Sequence, residues 1–151
     1  MSDTPKRNIV TARESGFGPF GQYINVGHHV LGADEPGIYG GRNTGPDPFE
    51  LVMAGLAACT TMTIRMVADR KKLPLEDVKV EVRHLRAPPM MGAGGSRPTD
   101  GKPHAFERQL SFKGPLSEEQ RQMLVAMADK CPVHKLLEGE ADIITREVEA
   151  A

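Results

Sequence analysis

The feature that most constrains the fold is the segment 46–73, which has the pattern of one long helix. Asp47 suits the position before the helix, and Pro48 suits its first turn, because the missing N–H of proline would have no partner there anyway. Glu50 falls in the first turn, where a carboxylate favours the positive end of the helix dipole. Pro74 ends the pattern directly after a cationic last turn. We therefore predict that the chain is organised around this helix.

The first part of this helix is free of charge, because residues 51–64 contain only small, apolar and hydroxyl side chains. A helix at a protein surface normally shows a wide polar face, which is missing here. The sequence therefore predicts a helix that is buried on most sides, with small residues that let another backbone approach closely. The interruptions and the charged end of the helix argue against a membrane span.

The 151 residues suit a single domain, 1–151, with a core of its own. A net charge of −1 gives no electrostatic sign of nucleic-acid binding, and the chain has no tryptophan to stack on bases or sugars. The tail formed by residues 1–8 is polar and lacks a hydrophobic segment of the signal-peptide type. We therefore expect a cytoplasmic location, with neither nucleic acid nor a membrane as partner.

Segments of alternating polarity predict five strands around the helix, and the capping pattern at Ser117 predicts a second helix that ends before Pro132. The predicted strands are 9–14, 22–31, 77–87, 104–113 and 141–148, and Gly27 is a candidate break in the second. The alternation of the third strand slips at His84. The glycine-rich segment 88–103, which contains two methionines, is predicted to be a mobile loop that could cover an apolar substrate. The resulting order, β-β-α-β-β-α-β, indicates an α+β fold.

Two cysteines are the candidate reactive groups. Cys59 lies among apolar residues in the middle of the long helix, and Cys131 lies at the end of the second helix, directly before Pro132. Only a thiolate attacks peroxides or disulfides quickly, and a thiolate needs a nearby cation or a helix N-terminus. From these residues alone, a reactive pair and two small buried side chains both remain open.

The five histidines do not have the spacing of a metal site, so no metal is expected. His28 and His29, if both lie on a strand, would face opposite sides of the sheet. His134 follows Cys131 by three positions, and either tunes that thiol or is a partly exposed polar side chain.

Two motifs together resemble the OsmC/Ohr family. The first is the start of the long helix, 45–60, which contains Ala-Ala-Cys, and the second is the later segment 128–134, which contains Cys-Pro-Val-His. The resemblance covers roughly residues 20–147. It implies an intertwined homodimer in which two long central helices pack together and curved antiparallel sheets wrap around them.

The resemblance also implies a function as a thiol peroxidase that acts on organic hydroperoxides. Cys59 would attack the peroxide and become a sulfenic acid, and Cys131 would resolve it as a disulfide. An external dithiol, such as a lipoyl group, would reduce the disulfide again, and no bound cofactor is implied.

One departure from the family pattern concerns the carboxylate that activates the first thiol. In the peroxidase subfamilies it directly follows the proline, a place that Phe49 takes here, and Glu50 comes one residue later. Nine steps of about 100° place Glu50 about 180° around the helix from Cys59, whereas ten steps would leave about 80°. Glu50 is therefore either the site's carboxylate or a residue that starts the helix. The departure resembles a less characterised branch of the family.

The identity of the arginine that would activate the thiol is also undecided. Arg42, in the loop before the long helix, is the best candidate, because a loop residue could reach the thiol of either chain. Arg13 and Arg65 are weaker candidates. The alternative for Arg42 is an ordinary solvated charge.

Two hypotheses follow. A cysteine-based peroxidase predicts that Cys59 has a depressed pKa and that the sulfurs of Cys59 and Cys131 come within disulfide reach. The alternative is a non-catalytic OsmC-like stress protein that binds a small apolar ligand at the dimer interface. It predicts an uncharged pocket around Cys59, lined by Phe49 and methionines.

Overall fold

A computed structural model describes residues 9–86, 104–139 and 141–149. The chain divides into two compact units, residues 1–52 and 53–151. The single domain expected from the sequence therefore stays a prediction. The tail 1–8 and the expected loop 88–103 lie outside the described residues.

The N-terminal unit contains a three-stranded antiparallel sheet with strand order β1-β2-β3. The strands are β1 (Val10–Glu14), β2 (Gln22–Val26) and β3 (His29–Ala33). The predicted segment 22–31 is broken at Gly27 and forms two strands, because the chain reverses at Gly27 and His28, and Val26 pairs with His29. Gly27 has a φ of 61°, which a two-residue hairpin turn requires and glycine adopts at little cost. His28 and His29 therefore do not lie together on a strand, and their rings are 4.0 Å apart.

The loop after β3 is organised by the buried carboxylate of Asp34. The carboxylate accepts hydrogen bonds from the amides of Glu35, Arg42 and Thr44, at 2.8, 3.3 and 3.1 Å, and from the Thr44 hydroxyl at 2.7 Å. The bond from the Thr44 hydroxyl is the largest cause that lowers the pKa of Asp34, and burial opposes it. Asp34 thus fixes the backbone of the segment that carries Arg42.

The long helix, α1, runs from Pro48 to Arg70, inside the predicted segment. Its buried residues recur every fourth position and form one stripe: Leu56, Thr60, Ile64 and Ala68. The prediction of burial on most sides is therefore wrong within one chain. Val52, Met62 and Met66 are exposed, and nothing in the described chain lies within 4 Å of where a side chain on Gly55 would begin.

By length and apolar composition α1 could cross a membrane, but the core helix of a globular unit passes the same test. Ile64 and Ala68 are completely buried and pack with Leu75 and Leu124 in the core of the C-terminal unit. We therefore treat α1 as a core helix.

The C-terminal unit adds a two-stranded antiparallel sheet of β4 (Asp77–Arg86) and β5 (Ala105–Lys113). Both strands confirm the sequence prediction, and the register shifts between His84 and Arg86, where the alternation slips. From the sheet, Val78, Leu110 and Phe112 pack against the core.

The second helix, α2 (Glu118–Met127), begins with the predicted capping box, in which Ser117 and Gln120 exchange hydrogen bonds of 2.9 and 3.1 Å. A 3-10 turn, Ala128–Lys130, and a short helix, α3 (Pro132–Leu137), follow. Residues 141–149 are exposed and form no strand, so the predicted last strand is wrong for a single chain. A strand needs a neighbour for its backbone groups, and the described chain offers none here. The α+β class with antiparallel sheets is confirmed.

Leu124 is completely buried in the core cluster, so Leu124→Ala should lower the free energy of unfolding by about 2–5 kcal/mol. The neighbouring Val125 is half exposed on the same helix. Val125→Ala should therefore change the free energy of unfolding by about 0.5 kcal/mol or less. Urea unfolding followed by circular dichroism measures both. Equal losses for the two variants would contradict the assigned core.

Candidate active site

The two cysteines, which are far apart in sequence, meet in the C-terminal unit. Cys59 lies on α1 and is partly exposed, whereas Cys131 lies between the 3-10 turn and α3 and is completely buried. Both are free thiols, and each contributes to the shift of the other's pKa, so the two side chains are neighbours. That the two sulfurs come within disulfide reach stays a prediction.

The position of Cys131 follows from how α2 ends. The Cys131 amide donates to the carbonyl of Ala128 at 3.3 Å, which closes the 3-10 turn. Pro132 then starts α3, because its missing N–H needs no partner in a first turn. The Cys131 carbonyl accepts from the amide of Lys135 at 3.3 Å. Backbone bonds on both sides therefore fix Cys131 at the start of α3.

The Cys131 thiol is surrounded by hydrogen-bond donors. Burial raises its pKa, but hydrogen bonds from four groups outweigh burial, so the pKa lies below its usual value. These donors are the Cys59 thiol, the Thr60 hydroxyl and the amides of His134 and Val133. The negative charge of the thiol pair is thus favoured on Cys131.

The pKa of Cys59 is shifted in the opposite direction, above its usual value. Burial raises its pKa, and the hydrogen bond that its thiol gives to Cys131 raises it further. The prediction of a depressed pKa for Cys59 is therefore wrong for the single chain. The physical reason is that most of the donors converge on Cys131, so the pair keeps its proton on Cys59.

Arg108, on β5, is a residue of this region that the sequence reasoning missed. Its side chain is only 13% exposed. It donates to the Thr60 hydroxyl at 3.2 Å, the Ala128 carbonyl at 2.8 Å, Asp129 Oδ1 at 3.2 Å and His134 Nδ1 at 2.7 Å. A signal was present in the alternation, because Arg108 shares a strand face with the apolar positions Phe106, Leu110 and Phe112. A cation at such a position needs buried partners.

Next to Arg108 lies a half-open pocket of about 250 Å³. It is lined by Leu56, His104, Phe106, Arg108, His134, Leu137 and Glu138. His134 Nε2 lies 3.1 Å from Glu138 Oε1, and His104 Nδ1 lies 3.0 Å from Nε2 of His84. This pocket has charged groups on one side, and its described lining includes neither Cys59 nor Phe49 nor a methionine, so it is a different pocket from the uncharged one around Cys59 that a ligand-binding role predicts.

The other two predicted site residues, Arg42 and Glu50, belong to the N-terminal unit. The amide of Asp47 donates to Glu50 Oε2 at 2.8 Å, and the Glu50 amide donates to Asp47 Oδ1 at 2.9 Å. Glu50 therefore acts as a residue that starts α1, which is one of the two interpretations given for it above. Asp47 is confirmed as the cap of this helix. Arg42 is exposed, and its side chain lies against Gly18. That Arg42 and Glu50 share a site with the cysteines stays a prediction.

Of the weaker arginine candidates, Arg65 donates to the carbonyls of Leu75 and Glu76 at 2.8 and 3.3 Å, so it ties α1 to the start of β4. Arg13 lies on β1, opposite Tyr23. Within residues 9–86, 104–139 and 141–149, no three histidine, cysteine or acidic side chains are grouped to hold a metal ion.

Because the pKa values of the two thiols are shifted in opposite directions, we predict that thiolate absorbance rises in two steps as the pH increases. The first step, below the usual pKa of a thiol, belongs to Cys131, and the second, above it, belongs to Cys59. Cys131→Ser should remove the first step and keep a step at high pH, whereas Cys59→Ser should keep a step at low pH. A low-pH step that survives in Cys131→Ser would contradict this order.

The comparisons with known proteins agree with this architecture. The family model described as OsmC-like protein matches residues 41–146. Among solved structures, an organic hydroperoxide resistance protein OsmC from Legionella pneumophila is 26% identical, with a TM-score of 0.64, and the match covers 89% of this chain and 91% of that one. No curated protein matches the chain.

Two further structures share the fold at lower identity. An OsmC like protein from Mycoplasma pneumoniae is 22% identical with a TM-score of 0.69, over 90% of each chain. An organic hydroperoxide resistance protein from Elizabethkingia anophelis is 20% identical with a TM-score of 0.63, over 91% of this chain and 92% of that one. Together with the family model, which spans most of the sequence, these matches show that the chain belongs to the OsmC-like protein family.

Proposed function

We propose that this protein is a cysteine-based peroxidase that reduces organic hydroperoxides in oxidative-stress defence, with Cys59 as the peroxidatic and Cys131 as the resolving cysteine. The observation that carries the proposal is that a partly exposed thiol and a completely buried one are neighbours and influence each other's pKa. The comparisons support the proposal through a relative from Legionella pneumophila, which is 26% identical to this chain and is named an organic hydroperoxide resistance protein.

The unequal exposure assigns the roles. A hydroperoxide can approach Cys59, which is partly exposed, whereas Cys131 has no exposed surface. Of the two thiols, Cys131 is the easier to ionise and Cys59 the one that holds its proton more tightly. Transfer of the Cys59 proton to the neighbouring Cys131 thiolate makes Cys59 the thiolate, and only a thiolate attacks a peroxide quickly.

The reaction then proceeds in two steps. The Cys59 thiolate attacks the distal oxygen of the hydroperoxide and the O–O bond breaks, so Cys59 becomes a sulfenic acid, and the alkoxide takes the proton held by Cys131 and leaves as an alcohol. Cys131, now a thiolate, attacks the Cys59 sulfur and the S–O bond breaks, and the hydroxide takes a proton from solvent and leaves as water, which forms the disulfide. The lowered pKa of Cys131 favours the thiolate that this second step needs.

The disulfide returns to two thiols when an external dithiol, such as a lipoyl group, supplies two electrons and two protons. No bound cofactor takes part in the proposed cycle. We retain Arg42 as the proposed activating cation and Glu50 as a proposed site carboxylate. The capping bond already occupies Oε2 of Glu50, which favours its role in starting α1.

We also propose a homodimer, in the cytoplasm. Large apolar side chains are exposed along α1 and in residues 141–149, and contact between two chains would cover them. They are Val52, Met62, Met66, Ile143, Ile144 and Val148. A second chain would also give residues 141–149 the neighbouring backbone that a strand requires.

The second candidate function is a non-catalytic stress protein that binds a small apolar ligand. The raised pKa of Cys59 favours it, because a protonated thiol is a poor nucleophile. The pocket beside Arg108 offers apolar surface from Leu56, Phe106 and Leu137. The two candidates differ in whether Cys59 reacts with hydroperoxides faster than an ordinary thiol does.

The test mixes the reduced protein with cumene hydroperoxide or hydrogen peroxide and follows the loss of free thiols by stopped flow. We expect both thiols to be lost with cumene hydroperoxide at a rate at least about a hundredfold above that of free cysteine. Cys131→Ser should accumulate a sulfenic acid, and Cys59→Ser should keep its thiol. Loss no faster than that of free cysteine would falsify the peroxidase proposal and favour the binding role.

A further inference from the structure

We propose that Arg108 is a positioning residue that holds the segments of Cys59 and Cys131 together, so that the two sulfurs stay in contact. As a role in the reaction it rests on the proposed function, although the contact between the thiols can be measured without any peroxide. Arg108 itself touches neither the peroxide nor the reacting sulfur in this account, and it acts through the groups that it binds.

The guanidinium binds on both sides of Cys131. Before the cysteine it donates to the Ala128 carbonyl and to Asp129 Oδ1, and after it to His134 Nδ1. These three bonds, of 2.7 to 3.2 Å, join the 3-10 turn and α3 to one rigid group on β5. The backbone that carries Cys131 is therefore held from the sheet.

The fourth bond joins the same guanidinium to the helix that carries Cys59. Nη1 donates to the hydroxyl of Thr60, the residue after Cys59, and Thr60 is completely buried. This oxygen accepts from Arg108, and its own proton goes to the Leu56 carbonyl at 2.7 Å. The same hydroxyl is a cause of the lowered pKa of Cys131, so Thr60 also lies beside that thiol. Arg108 and Thr60 thus connect the two cysteine-bearing segments directly.

The same bonding fixes the tautomer of His134. A guanidinium can only donate, so His134 Nδ1 must accept, and the ring proton lies on Nε2, which faces Glu138 Oε1 at 3.1 Å. A change in the Arg108 contact should therefore change the His134 tautomer, a signal that a general loss of stability would not give.

Only arginine suits this position. Its planar guanidinium has two N–H groups on each terminal nitrogen, and here Nη1 and Nη2 each donate to two acceptors. A lysine would keep the charge, but its single nitrogen has three donors and no fixed plane. Arg108→Lys is thus expected to retain part of the function, and Arg108→Met should lose it.

The test measures the equilibrium between the dithiol and the Cys59–Cys131 disulfide in mixtures of reduced and oxidised glutathione, with acid quenching, alkylation and mass analysis. In Arg108→Met the equilibrium constant for disulfide formation should fall about tenfold or more, because the thiols are no longer held together. In Arg108→Lys it should fall by a smaller factor. Nitrogen-15 spectra should show the Nε2–H tautomer of His134 in the unmodified protein and a mixture of tautomers in Arg108→Met.

Arg121→Met is the matched control. Arg121 also joins segments of this unit through backbone carbonyls, those of Phe112 and Gly114, both at 3.4 Å, and it contacts no thiol. We expect its disulfide equilibrium to stay within about twofold of the unmodified protein, and its His134 tautomer to stay unchanged.

An unchanged equilibrium in folded Arg108→Met, or equal losses in Arg108→Met and Arg121→Met, would overturn the proposal. Should Arg108→Met fail to fold, Arg108→Lys decides by the same measurement, and an unchanged equilibrium in it counts against the proposal. The assay contains no peroxide. A protein that fails as a peroxidase can therefore still show the Arg108 effect, and the two proposals fail separately.

Discussion

The close approach of the Cys59 and Cys131 thiols is the constraint on which the rest of the site depends. It requires that the middle of α1 and the start of α3 meet, although they are far apart in sequence. The buried stripe of α1 places Thr60 in the unit's interior, beside Cys59. Arg108 then joins Thr60 to the residues that flank Cys131. The core and the polar contacts therefore support the same pair of sulfurs.

The pair is asymmetric in a way that suits a reaction in sequence. The accessible thiol holds the proton, whereas the buried thiol is surrounded by donors that favour its anion. An arrangement that activated only Cys59 would leave the resolving step without a ready nucleophile. In the proposed cycle the second nucleophile is prepared in advance, and the first forms when one proton moves from Cys59 to Cys131. The cost is that Cys59 needs help, from a cation or from that transfer, before it can attack.

The sequence predicted much of this from local patterns. Proline and carboxylate signals indicated α1, the capping pattern at Ser117 indicated α2, alternation indicated β4 and β5, and the family motifs singled out both cysteines. The sequence predictions failed where the pairing of strands decides the structure. The turn at Gly27 split one predicted strand, and 141–148 found no neighbour within one chain. The role of Arg108 depends on contacts with residues 48 positions before it and 26 after it, which no local pattern contains.

A peptide map of the reduced protein after one equivalent of cumene hydroperoxide, with thiols blocked before digestion, shows directly whether the two cysteines react as a pair. We expect one linked pair of peptides, joining Cys59 to Cys131, with the loss of two hydrogen atoms and no link between other positions. Unlinked peptides, with Cys59 blocked as a free thiol or Cys131 oxidised to a sulfinic acid, would contradict it. The two sulfurs would then not act as a peroxidatic and resolving pair.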